Sequence, residues 1–171
     1  MQRRSIEAIV SALNGADVRY LVVGGLAVVA HGFVRFTADL DMVLDPDPAG
    51  VRRAVKALSE LGYTPRAPVP FADFEDPEKR RSWIREKGLT VFSLSSKDHP
   101  ATEIDLFVEP PFEFDLAYAR SVRMEVGPGT TASFVGRMDL IDMKRRAGRP
   151  QDLSDIAGLE ASVSPGEKHD G

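Results

Sequence analysis

Three aspartates stand inside apolar runs. Asp39 and Asp41 lie in "VRFTADLDMVL" (34–44), and Asp105 lies in "ATEIDLFVE" (101–109). An ionised carboxylate is costly to bury without a partner. Strand alternation says where these charges point. From Val34 on, Val34, Phe36, Ala38, Leu40, Met42 and Leu44 share one apolar face, and Arg35, Thr37, Asp39 and Asp41 share the other. The two aspartates then stand about 7 Å apart at their Cα atoms. In the second run Ile104, Leu106 and Val108 share a face, with Glu103 and Asp105 opposite. If the two strands are neighbours, Asp105 joins the pair. Like charges in register repel, so the pattern calls for a cation. Oxygen donors without a His or Cys cluster suit Mg²⁺ or Mn²⁺ and not zinc.

A second feature suits an anion. Gly24 and Gly25 end the buried run "VRYLVVGG" and open a short apolar stretch, "LAVVAHG". Glycines between a strand and a helix let a phosphate approach backbone N–H groups and the helix dipole. Phosphate donors at one end and carboxylates at the other fit a metal-bound triphosphate. His31 reads as a cap or packing residue, and Trp83 as a packing residue.

These side chains need a sheet and helices to position them. Ser5 is placed to cap a helix running to about Leu13, stopped by Asn14-Gly15. "VRYLVVGG" is a short buried strand, "LAVVAHG" a short helix and "VRFTADLDMVL" a strand. Asp47 caps the next helix with Pro48 at its first position. Val51, Ala54, Val55, Leu58 and Leu61 give that helix a buried stripe, and Gly62 ends it. Residues 64–77 hold four prolines and read as a loop, with a short helix from Glu78 to Lys87. "LTVFSL" and "EIDLFV" predict an antiparallel hairpin, and "VRMEV" and "TASFV" a second one. Two helices follow, about 138–147 and from Pro150 to about Ala161. The expected fold is α/β (α+β), a small mixed sheet packed with helices, as a single domain over 1–162. Residues 163–171 are expected to form a disordered tail.

Composition bounds the function. The chain has 171 residues, 43% hydrophobic and 28% charged, as in ordinary globular proteins. It has no cysteine, which excludes disulfides, thiolate metal sites and cysteine nucleophiles. The first residues lack a secretory apolar region and no run is long enough to span a membrane, so a cytoplasmic protein is expected. A net charge of −4 argues against a broad nucleic-acid footprint. Two local basic candidates remain, "KRRAGR" (144–149) and "EKRRSWIREK" (78–87). The second mixes its signs and reads as a solvated helix face.

The run Gly24-Gly25, then Arg35-x-Thr37-x-Asp39-x-Asp41, resembles the signature of the DNA polymerase β-like nucleotidyltransferase superfamily, with Asp105 matching its third carboxylate. "DLIDMKRRAGRPQDLSDI" further resembles the AbiEii-type branch, the nucleotidyltransferase-like toxins of two-gene systems. There a Lys, an Arg and an Asp-x-x-Asp segment complete the site, matched here by Lys144, Arg149, Asp152 and Asp155. The resemblance covers about residues 20 to 160. It departs in two respects: Leu26 follows the glycines where many members have a serine, and 171 residues leave little room for a large substrate-recognition domain. The resemblance implies that Asp39, Asp41 and Asp105 hold two Mg²⁺ or Mn²⁺ ions, that Asp105 takes the acceptor proton, and that Gly24 and Gly25 cradle the outer phosphates. Three carboxylates and a triphosphate then carry about seven negative charges, of which two divalent ions remove four, and Arg35 and Lys144 are the candidates to cover part of the rest. It implies NTP as donor and an RNA (a tRNA end), protein or small-molecule hydroxyl as acceptor, with a cognate antitoxin as a partner. Asp152 and Asp155 also fall in a helix first turn, where the dipole favours acids in any case. A non-enzymatic binding module on the same fold, acting through a protein partner as antitoxin or regulator, is the competing reading.

Overall fold

The computed structural model describes residues 1–162; the expected tail at 163–171 lies outside the described residues. Seven strands form one sheet: β1 (Tyr20–Val22), β2 (Asp39–Leu44), β3 (Tyr63–Pro65), β4 (Val91–Ser96), β5 (Glu103–Phe107), β6 (Val122–Gly127) and β7 (Thr130–Phe134). Their order across the sheet is β3-β4-β5-β2-β1-β7-β6. The centre is mixed: β2 runs antiparallel to β1 but parallel to β5, and β1 runs parallel to β7. The two predicted hairpins form as antiparallel pairs, β4 with β5 and β6 with β7.

Among the described residues the α-helices are α1 (Arg3–Gly15), α2 (Gly24–Ala30), α3 (Pro48–Glu60), α4 (Pro77–Lys87), α5 (Phe114–Ala119), α6 (Arg137–Ala147) and α7 (Pro150–Ala161). Asp47 caps α3 as expected, accepting a 2.8 Å hydrogen bond from the Gly50 N–H, a contact worth about 1 kcal/mol. Gly62 ends that segment in the left-handed region, at φ +79°. Leu40, Met42, Leu94, Ile104 and Leu106 are fully buried on one sheet face, with Ile9, Leu13 and Leu58 from α1 and α3 in the same core. Trp83 of α4 stacks on Phe92 of β4, with ring centroids 5.1 Å apart, so it is a packing residue.

Four local expectations change. Ser5 does not cap α1. The helix starts earlier, at Arg3, and Ser5 is buried inside it, with its Oγ 3.0 Å from His99 Nδ1. The stretch 34–38 is not a strand. The β2–β5 ladder begins at Asp39 opposite Glu103, and Val34 and Phe36 are 88% and 84% exposed. The 64–77 loop contains the end of β3 and a 3₁₀ turn at Phe71–Glu75. Helix α5 had no predicted counterpart; at six residues it is too short to show a helical repeat.

Candidate active site

The parallel register of β2 and β5 sets Asp41 opposite Asp105 and Asp39 opposite Glu103. All four carboxylates therefore stand on one face of the sheet, away from Leu40, Met42, Ile104 and Leu106. Register alone does this, since parallel partners point the same way. On the other side of β5, Ser93 of β4 pairs with Asp105 and donates its Oγ–H to Asp105 Oδ1 at 2.5 Å. Glu103 is engaged by Arg66 at 2.9 Å. Ser93 was not singled out from the sequence. The alternation Val91-x-Ser93-x-Ser95 puts it on a polar face, but only the ladder shows which residue it meets.

The carboxylates act on one another. Asp41 is half-buried, and its carboxyl is pushed up to about 6, by burial first and then by the charges of Asp105 and Asp39; the Gly25 backbone and Lys144 pull the other way. Asp39 is also raised, by burial and then by Asp105 and Glu103. A hard divalent cation relieves this kind of repulsion, and the donors are all carboxylate oxygens. Among the described residues, no group of three or more His, Cys, Asp or Glu side chains closes around a single metal position. The donor set thus fits the cation in chemistry and in face, and the side chains do not form a closed cage.

Gly24 and Gly25 abut the carboxylate strand. Gly24 has φ +63°, and a Cβ there would lie 1.9 Å from Asp41 Oδ2. A Cβ on Gly25 would lie 2.5 Å from Thr37 Oγ1 and 3.3 Å from an Arg35 guanidinium nitrogen. No side chain fits at either position without moving the site. The Val23 N–H continues the contact, donating to the Asp41 carbonyl at 2.9 Å. Helix α2 begins at Gly24 itself and is short, as expected, with seven residues. His31 follows α2, buried, with Nε2 2.8 Å from the Val135 carbonyl, a packing role.

Segment 34–38 leaves the sheet with Arg35 and Thr37 turned toward the protein. Arg35 Nη1 reaches Asp155 Oδ2 at 2.5 Å, and Thr37 Oγ1 donates to the Asp39 carbonyl at 3.3 Å. Asp155 also receives Lys144 Nζ at 2.7 Å, and Lys144 reaches Asp152 Oδ1 at 3.2 Å. Arg149 Nε then binds Asp152 Oδ2 at 2.8 Å. Charges alternate along this chain as Arg35, Asp155, Lys144, Asp152 and Arg149. Lys144, Asp152 and Asp155 are buried. Burial alone would raise Asp152, but hydrogen bonds from Arg149 and Lys144 outweigh it and hold the carboxyl below its ordinary value. The two acids are thus counter-ions to three cations. The Lys144 charge acts on Asp41, and the Asp41 charge is among those that raise Arg149.

The basic segment 144–149 is tied into the rest of the protein. Beyond Lys144 and Arg149, Arg145 pairs with Glu160 at 3.0 Å and Arg146 donates to the Pro111 carbonyl at 2.7 Å. The stretch 78–87 is a mixed-charge helix, with Lys79 on Asp73 and Arg81 on Glu78.

No protein-family model matches the chain, and no curated protein matches it. Solved structures do. The chain is similar to the lincosamide antibiotic adenylyltransferase LnuA in its lincomycin-bound form, at 11% identity and TM-score 0.62, covering 95% of this chain and 99% of that one. It is similar to the antibiotic-resistance factor ANT(2'')-Ia, at 15% identity and TM-score 0.59, covering 95% and 84%. A third is an antigenic nucleotidyltransferase-like protein from Paracoccidioides brasiliensis, at 15% identity and TM-score 0.55, covering 92% and 74%. The chain has the nucleotidyltransferase fold. No helix among the described residues is long and apolar enough to cross a membrane.

Proposed function

We propose that the chain is a nucleotidyltransferase that moves an NMP from an NTP to an acceptor hydroxyl and releases pyrophosphate. The observation that carries this reading is the register of Asp41 against Asp105, with Asp39 on the same face and Gly24 packed onto Asp41. Asp39, Asp41 and Asp105 are the residues that would hold Mg²⁺ or Mn²⁺. A divalent metal bound there supplies charge neutralisation and Lewis-acid polarisation of the phosphoryl group.

The chain's own residues do the rest. The acceptor oxygen attacks the α-phosphorus, and the bond to the bridging oxygen of the leaving pyrophosphate breaks. Ser93 holds Asp105 Oδ1, which leaves Oδ2 to take the acceptor proton. Gly24 and Gly25 give the phosphates access to the backbone, and Thr37 packs on Gly25. Arg35 and Lys144 provide positive charge from an ion-pair chain whose shape Asp152 and Asp155 set. Arg149 closes that chain.

The acceptor is the finer question. The AbiEii-like segment supports a toxin that modifies a tRNA or another RNA and is restrained by a cognate antitoxin. Arg145 and Arg149 pair with carboxylates and Arg146 is held on a carbonyl, which weakens the case for a basic RNA patch and favours a small-molecule or protein hydroxyl. One experiment separates these. The pure protein is incubated with each α-labelled NTP, Mg²⁺ or Mn²⁺, and in turn total RNA, lysate protein and hydroxylated small molecules. We expect label on one acceptor class, lost in Asp41→Asn and Asp105→Asn. No labelled product with any acceptor would return the chain to a binding module. Growth arrest on expression, relieved by Asp41→Asn, would support the toxin reading.

A further inference from the structure

A cavity of about 390 Å³ opens at the carboxyl ends of β2 and β5. Its floor includes Leu44 and Val108, which continue the apolar parity of those strands, opposite that of Asp41 and Asp105. Phe74 and Phe112 contribute aromatic walls, and Pro46, Pro77 and Pro110 stiffen the rim. The volume lies within the range of small-molecule sites, roughly 300–1,000 Å³.

Four charged residues line this space among the apolar ones, Arg80, Arg81, Glu109 and Glu113. Arg80 of α4 lines the cavity and is only 7% exposed. Its guanidinium carbon lies 5.4 Å from the Phe74 ring centroid, and Nη1 donates to the Phe74 carbonyl. Its other nitrogens have no protein hydrogen bond among the described residues. No fully buried side-chain nitrogen among the described residues lacks a partner, so these atoms keep some solvent access, and Arg80 lines the cavity. Arg81 beside it is already paired with Glu78. Burial lowers the Arg80 guanidinium below its ordinary value, and Glu109 offsets this only in part. A buried guanidinium without an ion pair is costly, and its planar fork matches a carboxylate.

We propose that this cavity binds a small monocarboxylate with an aromatic or branched apolar body, its carboxylate on Arg80 and its body against Phe74 and Phe112. Two features set the class. Ten of the fourteen lining residues are apolar, which suits a ligand with an apolar body beside its charged group. Glu109 and Glu113 stand at the mouth, so a dianionic phosphate is repelled more than a monoanion. The site is independent of the aspartate face, and neither it nor its test depends on nucleotidyl transfer.

The test uses phenylacetate as the probe and 2-phenylethanol as the uncharged control, with binding followed by ligand-detected NMR on the full chain. We expect saturable binding of phenylacetate and none of the alcohol. Arg80→Lys keeps a positive charge but loses the fork, and should weaken binding about tenfold or more. Glu109→Gln is an exposed change that removes a competing carboxylate, and should tighten binding. Asp41→Asn should leave binding unchanged, which separates this site from the aspartates. Equal binding of acid and alcohol, or no saturable binding, overturns the proposal. So does a Glu109→Gln protein that is destabilised and binds no better, because Glu109 is then the counter-ion of Arg80 and fills its place.

Discussion

Asp41 is the residue on which the site's electrostatics turn. In the folded chain its carboxyl holds its proton up to about pH 6, against an ordinary value of 3.8. Below pH 3.8 it is protonated whether folded or unfolded and contributes nothing. Between the two values the unfolded chain releases the proton first, so stability falls as pH rises. Above about pH 6 the full penalty is present, roughly 3 kcal/mol. Metal-free Asp41→Asn should therefore be more stable than the parent at pH 7, by up to that amount, and no more stable near pH 4. Urea unfolding in EDTA at the two pH values checks this. Destabilisation at pH 7 would mean that Asp41 makes structural bonds. Gly24 is the companion case. Gly24→Ala forces a left-handed backbone, costing about 1–2 kcal/mol, and drives a methyl group into the Asp41 carboxylate. A loss of about 2 kcal/mol corresponds to a drop in melting temperature of about 4–8 °C for a chain of this size. The variant should also lose transfer.

Helices α6 and α7 act through the ion-pair chain between them. Lys144→Met leaves Asp152 and Asp155 buried with fewer partners. Breaking a buried pair from one side costs about 3–5 kcal/mol, so this variant should unfold at clearly lower urea. The Arg149 side chain is 74% exposed, and Arg149→Ala should cost about 1 kcal/mol or less. If the two variants are equally stable, Lys144 is not the keystone of the α6–α7 contact. Segment 34–38 belongs to the same unit. Its alternation reads as a strand, but it has no ladder partner. Arg35 is drawn to Asp155, Thr37 packs on Gly25, and the apolar residues between them face outward.

At the scale of the whole molecule, ligand binding should report on folding. A ligand held only by the native state stabilises by RT ln(1 + [L]/Kd), about 2.7 kcal/mol at a hundredfold excess. Mg²⁺ or Mn²⁺ with the cognate NTP should raise the parent's melting temperature. Chelation should reverse the rise, and Asp41→Asn and Asp105→Asn should lose most of it. An equal rise in both variants would place the nucleotide elsewhere.

Much of the arrangement was legible without coordinates because it follows short-range rules. Period-two alternation put Asp39 and Asp41 on one face and Glu103 with Asp105 on another, and turn and capping residues marked α3 and both hairpins. The sequence could not choose between neighbouring and distant strands. The condition that β2 and β5 lie side by side was met by tertiary structure, in a parallel register that sets Asp41 against Asp105. Nor could local rules tell a solvated basic run from one tied into the fold. Lys144, Arg145, Arg146 and Arg149 read as a patch in one dimension, and their partners lie on α7 and on the loop before α5. The glycines show the same division. Their place after a buried strand was evident from order alone, but the need for them was decided by packing, because the space where a Cβ would stand is occupied by Asp41 and Thr37. Alternation, caps and turns are set by residues within a few positions of one another, whereas strand neighbours, counter-ions and close approaches are set by which distant surfaces the buried core brings into contact.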